Sequence, residues 1–281
     1  MSRKLALKEG LCGIITGAST GIGRALAVAL SQRFRARLVL NARNQSLLEE
    51  TAQLVRQAGG EPVPVPGDIS KRELSTELVD ACLSSFGSLD LLVNNAGLAK
   101  PGPVASLTPD DWHFVFGVNF FGALYATYAV LPHFLEKREG KIVNISSVAG
   151  KIAFPGSVCY AASKFALSGM SEGMAAELAS HGIDVITVCP GWIRTEFFKN
   201  NQVADYKNPS LVAQRSDLSG WLMRNWLSMS AEECAQEIIS ACQRGGSSEI
   251  VLTGPGVLVE RLHGLFPAAV FSLAKKVPSE R

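Results

Sequence analysis

Tyr160 and Lys164 stand four residues apart in the run Tyr160-Ala161-Ala162-Ser163-Lys164. On a helix that spacing turns a phenol and an ammonium into the same space. A phenol ordinarily ionises near about 10, and a neighbouring cation favours the phenolate, drawing that value toward one useful for proton transfer near neutrality. Ser147 precedes Tyr160 by thirteen residues, at the predicted end of a strand. Open α/β sheets put ligands there, and a hydroxyl so placed can hold an oxygen on which charge develops. Each feature alone has a bland reading. A Tyr/Lys pair at this spacing is commonly a surface contact, and a serine closing a strand commonly turns the chain.

A second motif raises the odds. A short apolar run leads into Thr16-Gly17-Ala18-Ser19-Thr20-Gly21-Ile22-Gly23, and a helical pattern follows at once. Glycines allow a sharp turn and a close backbone approach to a diphosphate, whose charge is met by helix N-terminal amides. The spacing is G-x-x-x-G-x-G rather than the commoner G-x-G-x-x-G, and by itself it is weak, because glycine turns are frequent in α/β chains. The next strand ends Leu40-Asn41-Ala42-Arg43, with no carboxylate in the turn. An acid there holds the ribose hydroxyls of NAD, whereas a cation suits the 2′-phosphate of NADP. Arg43 therefore points to NADP(H), its bland alternative being a solvated surface arginine.

These residues need a scaffold, and the chain supplies an alternation of elements. β-Branched or aliphatic runs at Leu11–Thr16, Arg37–Asn41, Pro62–Pro66, Leu89–Asn94, Lys141–Ser146, Asp184–Cys189 and Glu249–Leu252 are separated by helical stretches near 21–33, 45–58, 70–86, 108–138, 157–181 and 230–243. Such spacing implies right-handed crossovers and a mostly parallel sheet with helices on both faces. The expected fold is a doubly wound α/β (Rossmann) domain of seven strands in the order 3-2-1-4-5-6-7. The third strand carries prolines 62, 64 and 66 and must lie at an edge, since proline donates no ladder hydrogen bond. Ser70-Lys-Arg-Glu73 and Ser230-Ala-Glu-Glu233 read as capping boxes, and Thr108-Pro109-Asp110-Asp111 as a helix start.

The 281 residues, 47% hydrophobic and 19% charged, suffice for a sizeable core. We read them as one domain over 1–281, with a lid insertion at about 196–228 and a C-terminal extension at about 254–281. The net charge is +2 with no basic block, so nucleic acid is not an expected partner. The polar start Met1–Glu9 and six cysteines without a C-x-x-C pair suit a cytoplasmic protein with reduced, buried thiols. Four scattered histidines suggest no metal. Cys159 and Cys189 read as small buried filler, and Trp192 as a pocket wall or a packing residue in equal measure.

Trp112–Leu135 has 24 residues without Asp, Glu, Lys or Arg, enough to cross a bilayer. Asn119, Thr127, Pro132 and two histidines within it favour a helix buried in a fold and against a neighbouring subunit. The lid region, with Phe197, Phe198, Trp221, Met223 and Trp226, suggests a lipophilic ligand, although ordinary packing would have the same composition. The tail Val257–Lys276 reads as an amphipathic element for a partner subunit, with a membrane surface as the lesser alternative.

Taken together, Thr16–Gly23, Asp68, Asn94-Asn95-Ala96-Gly97, Asn119, Asn144-Ile145-Ser146-Ser147, Tyr160–Lys164 and Pro190-Gly191-Trp192-Ile193-Arg194-Thr195 resemble the single-domain branch of the short-chain dehydrogenase/reductase family over roughly residues 8–253. That resemblance implies Tyr160 as acid/base, Lys164 as the group that lowers its pKa and holds the nicotinamide ribose, and Ser147 as the residue positioning a carbonyl. It implies Asn119 as holder of a water that links Lys164 to solvent. It sets Gly17, Ser19, Thr20, Gly21, Ile22 and Gly23 at the diphosphate, Asp68 and Ile69 at the adenine, Asn95, Ala96 and Gly97 along the adenosine, and Pro190, Gly191, Ile193 and Thr195 at the carboxamide. It implies a homodimer or homotetramer in which the charge-poor helix and the Tyr160 helix pair across a two-fold axis. The expected activity is hydride transfer between NADP(H) and a small-molecule carbonyl or secondary alcohol. Reduction of 3-oxoacyl thioesters is a narrower alternative, and a non-catalytic NADPH-binding protein is an alternative of another class.

Overall fold

The computed structural model describes residues 7–195, 228–268 and 272. Seven strands, β1 (Cys12–Thr16), β2 (Arg37–Ala42), β3 (Glu61–Pro66), β4 (Leu91–Asn94), β5 (Gly140–Ile145), β6 (Ile183–Pro190) and β9 (Ser248–Leu252), form one sheet in the order β3-β2-β1-β4-β5-β6-β9. Every adjacent pair is parallel. This is the expected doubly wound order. A separate two-stranded ribbon, β7 (Ile193–Arg194) with β8 (Met229–Ser230), accounts for the difference in strand numbering.

Both faces of the sheet are covered, and alternation along each strand divides the core in two. Ile15, Leu38, Leu40, Leu91, Val93, Val143 and Val188 point to one side, beneath α1 (Gly21–Phe34), α2 (Gln45–Gln57) and α7 (Ala231–Arg244). Ile14, Val39, Leu92, Ile142, Ile183 and Val185 point to the other, beneath α3 (Arg72–Phe86), α5 (Gly122–Lys137) and α6 (Val158–Leu178). Period-2 alternation with apolar residues on both faces is what a doubly covered parallel strand requires. Each fully buried aliphatic side chain contributes about 1.5–3 kcal/mol.

Among the described residues the proline strand β3 pairs only with β2. Glu61 and Gly67 donate their amides to Ala36 and Ala42 of the β2 side. By parity Val63 and Val65 face β2 as well, and Pro62, Pro64 and Pro66 turn their donorless nitrogens to the open edge.

The helix starts are mixed. Thr108 caps α4 (Pro109–Phe116) in a full capping box with Asp111, and Ser230 caps α7 with Glu233. The box expected at Ser70–Glu73 does not form. Asp68 Oδ1 accepts from Ser70 N and the Asp68 carbonyl from Lys71 N, and α3 begins one residue later than that box would start it, with Lys71 as an unassisted N-cap. A local Asx turn wins over the helix cap. The lid aromatics and the tail beyond 268, residue 272 apart, lie outside the described residues.

Candidate active site

The long helix over Pro109–Lys137 is not uniform. Between α4 and α5 the chain makes one wide π turn, Gly117–Phe121, in which Gly122 N bonds to Gly117 O. Such single turns within an α-helix frequently occur at functional sites. This one holds Asn119, which is buried. The Asn119 amide donates to the Leu98 carbonyl at 2.9 Å and to Ser163 Oγ at 2.9 Å, and its Oδ1 accepts from Leu98 N at 2.8 Å. Ser163 in turn donates to the Tyr160 carbonyl at 2.7 Å. Both amide hydrogens are engaged, so the Asn119 side chain clamps the loop after β4 to α6.

Ser147 leaves β5 as the N-cap of a 3₁₀ turn, Val148–Gly150, with Ala149 N donating to its Oγ at 3.0 Å. Its hydroxyl is also hydrogen-bonded to Tyr160. Lys164, 3% exposed, lies one turn on from Tyr160, its Nζ 5.9 Å from the ring centroid and 2.8 Å from the Ile145 carbonyl it donates to. Among the described residues no carboxylate pairs with Lys164. Burial pushes its ammonium down to about 8, opposed only by Cys189. The phenol moves the other way from the expectation: burial raises the Tyr160 pKa above its ordinary value, the Ser147 hydrogen bond lowers it, and Cys189 raises it. Desolvation disfavours both charged forms, and it outweighs any pull from Lys164, whose Nζ is turned to the strand carbonyl. Cys189 itself is pushed up to about 11 by burial, an inert thiol at neutral pH.

The glycine turn is built against the loop after β4. Thr16 Oγ1 accepts from both Asn95 N and Ala96 N at 3.1 Å, and Asn95 Nδ2 donates to the carbonyls of Thr16 and Gly17 at 3.0 Å. Gly17 sits at φ +64°, and a Cβ there would meet Ala96 Cα at 2.7 Å; a Cβ on Gly23 would meet Gly17 O at 2.5 Å. Both glycines serve close packing of turn, helix and neighbouring loop. Gly21, at φ +57°, instead approaches Thr195, whose Cγ2 would lie 3.3 Å from an added Cβ. The structure thus brings Ser147, Tyr160, Lys164, Asn119 and Gly97 into one cluster, and Gly21 beside Thr195. A Cβ on Gly97 would find Asn119 Oδ1 and Lys164 Nζ at 3.5 Å.

Other expected residues are spread differently. Ile22 and Ile193 pack into the core beneath α1 and α7, and Ile69 is buried against Gly122. Ile69 is buried and Ile22 and Ile193 are part-buried, so all three side chains are engaged in packing. Asp68 is occupied by the Ser70 turn, and Gly191 is pinned under Thr253, whose Oγ1 would be 2.2 Å from a Cβ. The Ser19 carbonyl accepts from Thr51, Thr20 begins α1 without a side-chain cap, Pro190 closes β6, and Arg43 is exposed. Two residues the sequence reading left without a role, Thr16 and Ser163, prove central to positioning. Their only signal was adjacency, one directly before Gly17 and the other directly before Lys164.

Comparisons with known proteins bear on the family and the fold. The family profile for short chain dehydrogenases matches residues 12–205. The putative oxidoreductase SadH of Mycobacterium tuberculosis is 36% identical over 245 residues, 86% of each chain. A 3-oxoacyl-[acyl-carrier-protein] reductase of a Synechocystis strain is 34% identical over 187 residues, 66% of this chain and 76% of its own. Among solved structures, a short-chain dehydrogenase from Streptomyces avermitilis superimposes with a TM-score of 0.80 at 28% identity, covering 96% of this chain and 98% of its own. One from Burkholderia phymatum in complex with NAD gives 0.76 at 29%, covering 97% and 98%. The chain is an oxidoreductase of the short-chain dehydrogenase family.

Proposed function

We propose that the protein passes a hydride between NADP(H) and a lipophilic carbonyl/secondary-alcohol pair, with Tyr160 as general acid and base. The observation that carries this reading is a phenol hydrogen-bonded to Ser147 above a buried lysine with no carboxylate partner among the described residues. The residues fit a dinucleotide. α1 begins with an uncapped N-terminus and no acid in its first turn, which suits a diphosphate. Asn44, after Arg43, caps α2 through Leu47 N at 3.0 Å, and the exposed Arg43 at the end of β2 offers a cation that suits a 2′-phosphate. The NAD of the Burkholderia phymatum relative supports the dinucleotide class, and the phosphate preference rests on Arg43.

When bound, nicotinamide donates or accepts the hydride. In reduction the Tyr160 phenol gives its proton to the substrate oxygen, which the Ser147 hydroxyl also holds as charge develops there. In oxidation the phenolate takes the alcohol proton. Lys164, steered by the Ile145 carbonyl, supplies positive charge near the ring whenever it is protonated. Titration of the protein with NADPH and NADH tests the cofactor: NADPH is expected to bind at least about tenfold tighter, a gap that Arg43→Gln closes. Equal affinity in the native protein would remove the NADP reading. A panel of ketones and 3-oxoacyl thioesters separates the leading substrate class from the one suggested by the Synechocystis relative.

The assembly belongs to the same reading. Phe114, Phe121, Tyr128 and Leu135 are exposed at seven-residue intervals along α4, the π turn and α5, and Phe165 is exposed on α6. A contiguous apolar face of this kind suits a second copy across a two-fold axis. Sedimentation of Tyr128→Glu is expected to give a lower mass than the native chain.

A further inference from the structure

α8 (Gly254–Leu265) leaves β9 with apolar side chains turned to solvent. Leu258, Leu262, Leu265 and Phe266 are 59%, 42%, 73% and 61% exposed. A helix advances about 100° per residue, so the three leucines fall within about 60° of one another. Phe266, whose amide still bonds to the Leu262 carbonyl, widens the stripe. The same geometry sets exposed Arg261 on one rim and His263 on the other, while Glu260, part-buried, lies on the far side. The helix is fixed to the body at its first turn. Gly256 is buried, and a Cβ there would meet Val148 Cγ2 at 2.9 Å and Thr253 Oγ1 at 3.0 Å. Val148 directly follows Ser147, so the anchored end adjoins the catalytic wall and the stripe faces outward.

An apolar stripe rimmed by a cation and an imidazole, with its acid behind, matches a helix lying between water and acyl chains. The sequence after the helix continues in kind: Pro267–Ala274 carries no charge and leads to Lys275-Lys276, a pair that suits anionic headgroups. Two copies joined stripe to stripe would bring cationic rims together with Glu260 turned away from both. The charge arrangement therefore favours lipid over self-pairing.

We propose that α8 docks the protein on an anionic phospholipid bilayer, with Leu258, Leu262, Leu265 and Phe266 in the headgroup–acyl boundary. The catalytic cluster then lies beside the acyl phase, and a lipophilic carbonyl can enter from it directly. That last step rests on the substrate class proposed above; the docking does not. The test is co-sedimentation of the full chain with phosphatidylcholine vesicles, with and without phosphatidylserine. The protein is expected to pellet with the phosphatidylserine vesicles, and Leu262→Ser/Leu265→Ser to bind about tenfold or more weakly, with unchanged thermal unfolding and NADPH affinity. Equal sedimentation of native and variant chains, or binding indifferent to phosphatidylserine, would overturn the assignment. A fall in oligomeric mass in the variant would do so too, by giving the stripe to a second copy. Vesicle binding without faster turnover of a long-chain ketone would leave the docking standing and remove only the substrate class.

Discussion

Among the described residues two lysines are buried, and their surroundings differ in one respect. Lys141, 2% exposed, is the second residue of β5 and meets Asp184 of the adjacent β6 at 2.5 Å, each being the other's register partner. Lys164, 3% exposed, sits near the opposite, carboxyl end of the same strand and donates to a backbone carbonyl. A buried cation is costly unless it is paired. Lys141 is paired and serves the fold. Among the described residues Lys164 has no carboxylate beside it, and a cost of that kind is characteristic of reactive sites. Burial alone therefore separates nothing; the partner does.

The comparison can be broken most forcefully at Asp184. Asp184→Ala strands the Lys141 ammonium and is expected to lower stability by about 3–5 kcal/mol, while turnover per folded molecule stays as it was. Denaturant unfolding alongside active-site titration checks both halves. At the other lysine the losses exchange places. Lys164→Met is expected to cost about a hundredfold in kcat/KM, roughly 2.7 kcal/mol of transition-state stabilisation, with no fall in Tm. A matching loss of Tm would make Lys164 a structural residue like Lys141.

Smaller effects sharpen the picture. Ser163→Ala frees one Asn119 hydrogen, which is buried, and the Tyr160 carbonyl, which is part-buried. About 1–3 kcal/mol of stability and a several-fold fall in kcat with little change in KM are expected, whereas Ser163→Thr restores part of each. The pH dependence is subtler. The folded-state pKa of Lys164 is depressed to about 8 from 10.5, so between those values the unfolded chain binds the extra proton. Its contribution to stability is complete above about 10.5 and is lost as pH falls through about 8. The Tm of the native chain relative to Lys164→Met should therefore rise across that window, and a flat difference would contradict the depressed value.

Much of this was legible beforehand. Three prolines marked β3 as the edge, and the Tyr/Lys spacing and the strand-end serine meet in one cluster, which the loop after β4 links to the glycine turn. What escaped was direction. Ile22, Ile69 and Ile193 fall in motif positions, yet their side chains enter the core, because a motif names a backbone path and not the face a side chain takes. Ser70 looked like a cap until Asp68 took its amide. The Tyr160 phenol was expected to be drawn down by its neighbour, but sequence spacing carries no measure of desolvation, and burial dominates. Thr16 and Ser163 were passed over because a hydroxyl's importance lies in its partners, which come from loops far away in the chain.

The central claim is that the Tyr160 hydroxyl carries the proton. Tyr160→Phe keeps the ring and deletes that oxygen, so the decisive measurement is NADPH-dependent ketone reduction by this variant alongside its NADPH affinity. A fall in kcat of about 10²–10⁴-fold with nucleotide affinity retained is the predicted result; turnover within a few-fold of the native enzyme would contradict it.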